Sequence, residues 1–145
     1  MMSVRPALPS DAPALGEILS DWIDATPWMP RLYSRGEDTD FVADMIRAGG
    51  VDTLLTDDYP SGFLEETDGH ISALYLAQEA RGKGGGAMLI DAAKARHPSL
   101  DLWTFEANAG AIRFYRRHGF AEAERGADNA EGLPDMRLTW ERKPS

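Results

Sequence analysis

The sequence predicts an α/β fold, a central mixed sheet of about six or seven strands flanked by helices. Three observations predict it. Short β-type runs occur in groups, segments of helical period interrupt them, and a glycine-rich turn leads from one strand into the next helix. At 145 residues the chain fits one compact domain with its own core, and residues 1–145 are read as that single domain.

Val4 to Leu8 reads as a first strand. Ser10 is the predicted N-cap of a helix whose apolar face is Leu15, Ile18, Leu19, Trp22 and Ile23, spaced i, i+3, i+4, i+7, i+8. Pro27 and Pro30 end it and bracket an apolar loop, Trp28-Met29. A second helix is expected from Asp38 or Thr39, with Phe41, Val42, Met45 and Ile46 inward and Gly49-Gly50 as its stop. Val51 to Thr56 is a strand. Ser61 to Thr67 and His70 to Ala77 form a hairpin through Asp68-Gly69. After the glycine-rich turn comes a helix with Met88, Leu89, Ala92, Ala93 and Ala95 on its apolar side. Leu100 to Glu106 is a strand, and Ala109 to His118 a short helix stopped by Gly119. Phe120 to Glu124 and Met136 to Trp140 are the last strands, separated by a polar loop. Trp22 and Trp103 are read as core.

Composition narrows the function. The chain has no cysteine, which excludes disulfides, thiolate metal sites and a thiol nucleophile. His70, His97 and His118 lack metal-ligand spacing, so no metal is expected. The formal net charge of −9 argues against general binding to nucleic acid or anionic membrane. No signal peptide and no run long enough to span a bilayer is visible, which implies a cytoplasmic protein. Charge is uneven, however. Residues 78–118 carry seven Lys/Arg against four acids, whereas the remainder is strongly acidic. A basic island in an acidic chain suits a small anionic ligand or, equally, a solvated face.

The segment Arg81-Gly82-Lys83-Gly84-Gly85-Gly86 sits between a strand and a helix. Such a turn offers backbone N–H groups and a helix N-terminus to an anion, and glycine permits close approach. Walker A fails for want of Gly-Lys-Ser/Thr. A loose dinucleotide pattern, Gly82-x-Gly84-x-x-Ala87, follows a hairpin rather than standing in a βαβ unit. The remaining pattern is Arg-x-x-Gly-x-Gly, carried by Arg81, Gly84 and Gly86.

Leu74-Tyr75-Leu76, this turn and Leu89-Ile90 together resemble the acetyl-CoA pyrophosphate loop of the GNAT superfamily of N-acetyltransferases. About 25 residues on, Leu102 to Asn108, then Ala111, Phe114-Tyr115 and Gly119-Phe120, resemble the superfamily's next motif. The resemblance implies an acetyl-CoA-dependent N-acetyltransferase. Arg81, Gly82, Lys83, Gly84, Gly85 and Gly86 would hold the pyrophosphate. Leu74 and Leu76 would pair with the pantetheine arm as a strand does. Asn108, Ala111 and Phe114 would line the thiol end. One of Arg113, Arg116 and Arg117 would reach the nucleotide 3′-phosphate, with Arg117 the assigned candidate. Tyr115 would protonate the departing thiolate. Trp28-Met29 and the segment Asp128 to Arg137 resemble loops of one bacterial subgroup that shape the acceptor pocket.

The expected reaction is direct transfer to a primary amine of a small molecule or peptide in a ternary complex. A homodimer is a mild expectation. The rival reading is a non-catalytic acyl-CoA-binding or sensing module. What keeps it alive is Ser72-Ala73, where related sequences often place Asp and His. The general base is therefore open among Glu106, His70, Glu65, Glu66 and a water chain.

Overall fold

The computed structural model describes residues 1–144. Its strands are β1 (Met2–Pro6), β2 (Val51–Thr56), β3 (Tyr59–Thr67), β4 (His70–Leu76), β5 (Ser99–Phe105), β6 (Ala121–Gly126) and β7 (Asp135–Glu141). Its helices are α1 (Ala12–Ala25), α2 (Arg35–Ala48), α3 (Gly85–Arg96) and α4 (Ala109–Arg117). The seven strands form one mixed sheet in the order β1-β2-β3-β4-β5-β7-β6, so the predicted fold class holds. No helix among the described residues is long and apolar enough to cross a membrane.

Local chemistry sets the turns. Asp57-Asp58 and Asp68-Gly69 all adopt positive φ, as tight hairpins between antiparallel strands require. Gly119 ends α4 with φ of 90°. The sheet separates two apolar clusters. On one face Leu89, Ile90 and Ala93 of α3 pack on Leu54, Leu64, Ile71, Leu102 and Leu138. On the other, Leu15, Ile18 and Leu19 of α1 and Val42 and Ile46 of α2 pack on Val51, Phe63 and Ala73.

Both helix starts expected for α1 and α2 shift. The cap of α1 is Asp11, whose carboxylate accepts from the Leu8 amide at 2.8 Å and pairs with Arg5. Ser34 caps α2 in a reciprocal box with Glu37, so the helix begins four residues before Thr39. That register buries Asp38, Val42 and Ile46 as an i, i+4 line and turns Phe41 out to 59% exposure, against expectation. Asp38 is buried but not bare, because Ser20 Oγ and Arg31 both donate to it.

Two irregularities shape the middle of the sheet. Parallel β4 and β5 pair only at His70–Asp101 and Ile71–Leu102 and part beyond that point. On the opposite side of β4, partners run Glu65–Ala73 and then Glu66–Ile71, so Ser72 is an extra residue, a β-bulge.

Candidate active site

The splay of β4 from β5 opens a cleft of about 720 Å³. Leu74, Tyr75 and Leu76 form one wall, the turn from Arg81 to Gly86 its far end, and Asn108, Ala111, Phe114 and Tyr115 the other wall. The β4 backbone beyond Ile71 has no β5 partner, so those of its polar groups that do not bond β3 face the opening.

The turn has the backbone geometry an anion site needs. Gly82 and Gly84 adopt φ of 75° and 90°, with no atom near where a side chain would stand. Gly84 is the N-cap of the 12-residue α3, whose first N–H groups lack intrahelical partners. Gly85 has a different role: a side chain there would collide with Leu54 Cδ2. Gly86 lets the Phe114 ring lie against the helix, 3.1 Å from where its Cβ would be. Arg81 lines the cleft and donates from Nε to the Leu76 carbonyl at 3.2 Å. Of the three arginines on α4, Arg117 lines the cleft. A cradle of free amides, two arginines and an unpaired strand edge suits a diphosphate carried on an extended amide-containing arm. Acetyl-CoA is such a molecule.

A second, smaller hollow of about 90 Å³ lies in the same splay. Trp22, Ser72, Ala73, Trp103, Thr104 and Phe105 line it. It shares Trp22, Leu74, Tyr75, Asn108, Ala111 and Tyr115 with the larger cleft, so the two meet there. The aromatic wall is continuous, since Trp22 contacts Tyr75 and Trp28, and Trp28 contacts Phe105.

Tyr115 is buried, and burial together with Tyr75 pushes its phenol above its ordinary value. Burial, then the charges of Glu131 and Asp38, raise Tyr75 to about 12. Both phenols are therefore protonated near neutral pH and serve as donors. His118 stacks on Phe114 at 4.5 Å, and burial plus Lys94 hold its imidazole below its ordinary value.

Among the other residues singled out by sequence, Asn108 caps α4 by accepting from the Ala111 amide at 3.2 Å. Lys83 and Met29 are not among the residues that line either hollow, and Trp28 contributes through its stacking on Trp22 and Phe105. Glu106 is ion-paired with Arg125 and is not brought to the cleft. His70 bonds Asp101 at the closed end of the splay. Glu66 binds Arg96 and His97 on the α3 face. Glu65 points to the other face and accepts from Ser72 Oγ at 2.5 Å. Trp22 is half-buried in the cleft wall and Trp103 is 42% exposed, so neither is the core residue expected. The sequence reading also passed over Tyr75 and His118 as lining groups. The i, i+4 spacing from Phe114 to His118 was the available signal for the latter.

These features are those of an acyl-CoA-dependent transferase. The sequence matches the Acetyltransferase (GNAT) family over residues 13–120, and the chain belongs to it. It is an N-acetyltransferase whose donor is acetyl-CoA. It is 30% identical over 136 residues to peptidyl-lysine N-acetyltransferase YjaB of Salmonella typhimurium, an alignment spanning 92% of this chain and 93% of that one. The fold is similar to that of apo YjaB from Escherichia coli, with a TM-score of 0.82, 26% identity and 99% of each chain covered. It also resembles YncA of Salmonella typhimurium, solved with its cofactor acetyl-CoA, with a TM-score of 0.71 and 18% identity over 100% of this chain and 96% of that one.

Proposed function

We propose that this chain, acting as one catalytic domain, transfers the acetyl group of acetyl-CoA to the ε-amine of a lysine in a peptide or protein. The observation that carries this reading is the meeting of two hollows at Leu74, Tyr75, Asn108, Ala111 and Tyr115. One suits the donor. The other is a narrow aromatic trough that matches an aliphatic stem ending in a cation. The likeness to YjaB, named a peptidyl-lysine acetyltransferase, supports the same acceptor class.

Arg81, Gly82, Gly84 and Arg117 hold the phosphates, and Leu74 and Leu76 offer backbone partners to the amide arm. Asn108, Ala111 and Phe114 pack the thiol end. When bound, acetyl-CoA supplies a thioester carbonyl for nucleophilic attack. With no cysteine in the chain, attack is direct. The nitrogen–carbon bond forms, the carbon–sulfur bond breaks, Tyr115 gives its proton to the sulfur, and the proton shed by the acylated nitrogen restores the phenol.

Incubation with acetyl-CoA and a lysine peptide, followed by mass spectrometry, tests this reading. Acetylation of the ε-amine is expected, abolished when lysine is replaced by norleucine. Modification of the α-amine alone, or no modification by folded protein, would overturn it.

A further inference from the structure

The acceptor trough poses a proton problem. A lysine amine has a pKa of roughly 10.4 and must lose a proton before it can attack. Among the residues lining the trough there is no Asp, Glu, His or Lys, and the two tyrosines that line it are protonated. The usual means of taking the proton is therefore missing from the wall itself.

The bulge in β4 brings one to the next layer. Ser72 is the extra residue between the Glu65–Ala73 and Glu66–Ile71 pairs, and it is exposed at the trough. Its hydroxyl donates to Glu65 Oε1 at 2.5 Å. Glu65 is 8% exposed, and its second oxygen accepts from Thr67 Oγ1 at 2.6 Å. Gly50 closes the pocket around it, where a Cβ would stand 3.0 Å from Glu65 Oε2.

No cation pairs with Glu65 among the described residues. Cations on neighbouring elements are paired with other acids: Arg96 with Asp52 and Glu66, His97 with Glu66, Arg47 with Asp44 and His70 with Asp101. Glu65 is thus a buried carboxylate whose side-chain hydrogen-bond partners are hydroxyls, one of them on a residue that lines the trough.

We infer that Ser72 and Glu65 form a proton relay in which the carboxylate missing from β4 is supplied by β3. This rests on the amine-acetylation reading above. Ser72 Oγ touches the acceptor and is the catalytic residue, and Glu65 acts through it. As the ammonium loses its proton to Ser72 Oγ, directly or through one water, the serine proton passes to Glu65 Oε1. The products are a neutral amine and a neutral Glu65 carboxyl, so charge is conserved. After turnover the proton returns along the same path to water. Desolvation of the ammonium in the aromatic trough favours the step.

The test uses the full chain with Ser72→Ala, Ser72→Asp and Glu65→Gln, each checked for folding by thermal melt and for acetyl-CoA affinity by calorimetry. Turnover of a lysine peptide and, in parallel, of spermidine is measured from pH 6.5 to 10. Ser72→Ala and Glu65→Gln should lose about tenfold to a hundredfold in kcat near pH 7. They should close most of the gap to wild type toward pH 10, where a substantial fraction of the amine is already neutral, with acetyl-CoA affinity unchanged. Ser72→Asp should be more active at pH 7 than Ser72→Ala, because a carboxylate then stands in the trough itself. Wild-type rates at pH 7 in the alanine and glutamine variants, or a deficit equal at every pH, would overturn the relay. Wild type inactive on the peptide but active on spermidine would overturn the acceptor assignment alone, and the same ratios on spermidine still decide the relay.

Discussion

Trp28 stands edge-on to Phe105 with ring centroids 5.7 Å apart, tying the loop between α1 and α2 to the end of β5, where Phe105 lines the trough. Arg31 fixes that loop from behind by donating to Asp24, Asp38, the Ser20 carbonyl and the Tyr33 carbonyl. Trp28→Ala removes the ring that supports Trp22 and Phe105 in the trough wall. An aromatic pair contributes about 0.5–1.5 kcal/mol beyond its buried area, so the acceptor KM should rise roughly threefold to tenfold. Steady-state kinetics at saturating acetyl-CoA checks this, with unchanged calorimetric affinity for the donor.

Arg81→Ala should weaken acetyl-CoA binding by about tenfold. A hydrogen bond to a charged group contributes about 1.5–3 kcal/mol, and the exposure of Arg81 places it at the low end. Calorimetric titration reads the effect.

Tyr115→Phe keeps the buried ring and removes one proton. We expect kcat to fall roughly 10²–10⁴-fold while acetyl-CoA affinity holds. Single-turnover measurements distinguish this from slow product release, since the loss persists in the chemical step.

Gly85→Ala should destabilise the protein by about 1–3 kcal/mol, because the added methyl meets the fully buried Leu54. Urea denaturation measures the loss. Gly110→Ala in α4 is the contrast: its Cβ would come no closer than 3.9 Å to Arg113, and alanine favours the helix, so stability should be unchanged or raised.

Stability should also decline in mild acid through His118. Its folded pKa is depressed by burial, Lys94 and Arg117, partly opposed by Asp91. The unfolded chain therefore binds a proton first as pH falls. The contribution is intact above about pH 6.5 and is lost as pH drops from there through the folded value. Thermal melts from pH 8 to 5 check this: the decline below about pH 6.5 should be shallower in His118→Gln than in wild type.

What could be read from the sequence was the chemistry of short stretches. Asp68-Gly69 announces its hairpin, Gly119 its helix stop, and Arg81 to Gly86 the glycine turn into α3, because each depends on a few adjacent residues. The N-cap at Ser34 was equally local, since Ser34 and Glu37 form the box, whereas the exposure of Phe41 is set by how α2 packs. The bulge at Ser72 depends on how β4 lies against β3. A one-residue slip of that kind cannot be told from alternation within one strand. The pairing of Glu106 with Arg125 likewise joins two strands distant in sequence, and it occupies a carboxylate that strand position alone offers as a base. Trp22 shares a helical period with core residues, and only the parting of β4 from β5 turns its ring into a cleft wall.

That parting divides the sheet into two leaves, β1 to β4 and β5 with β7 and β6, bound along their shared spine by two residue pairs. A molecule lying in the gap touches both leaves and so works as a clasp. Its grip on the donor and the rigidity of the catalytic geometry are then one linked quantity. Acetyl-CoA should raise the melting temperature as it fixes the angle between the leaves, and the thiol left in the gap after transfer should keep that angle until it departs.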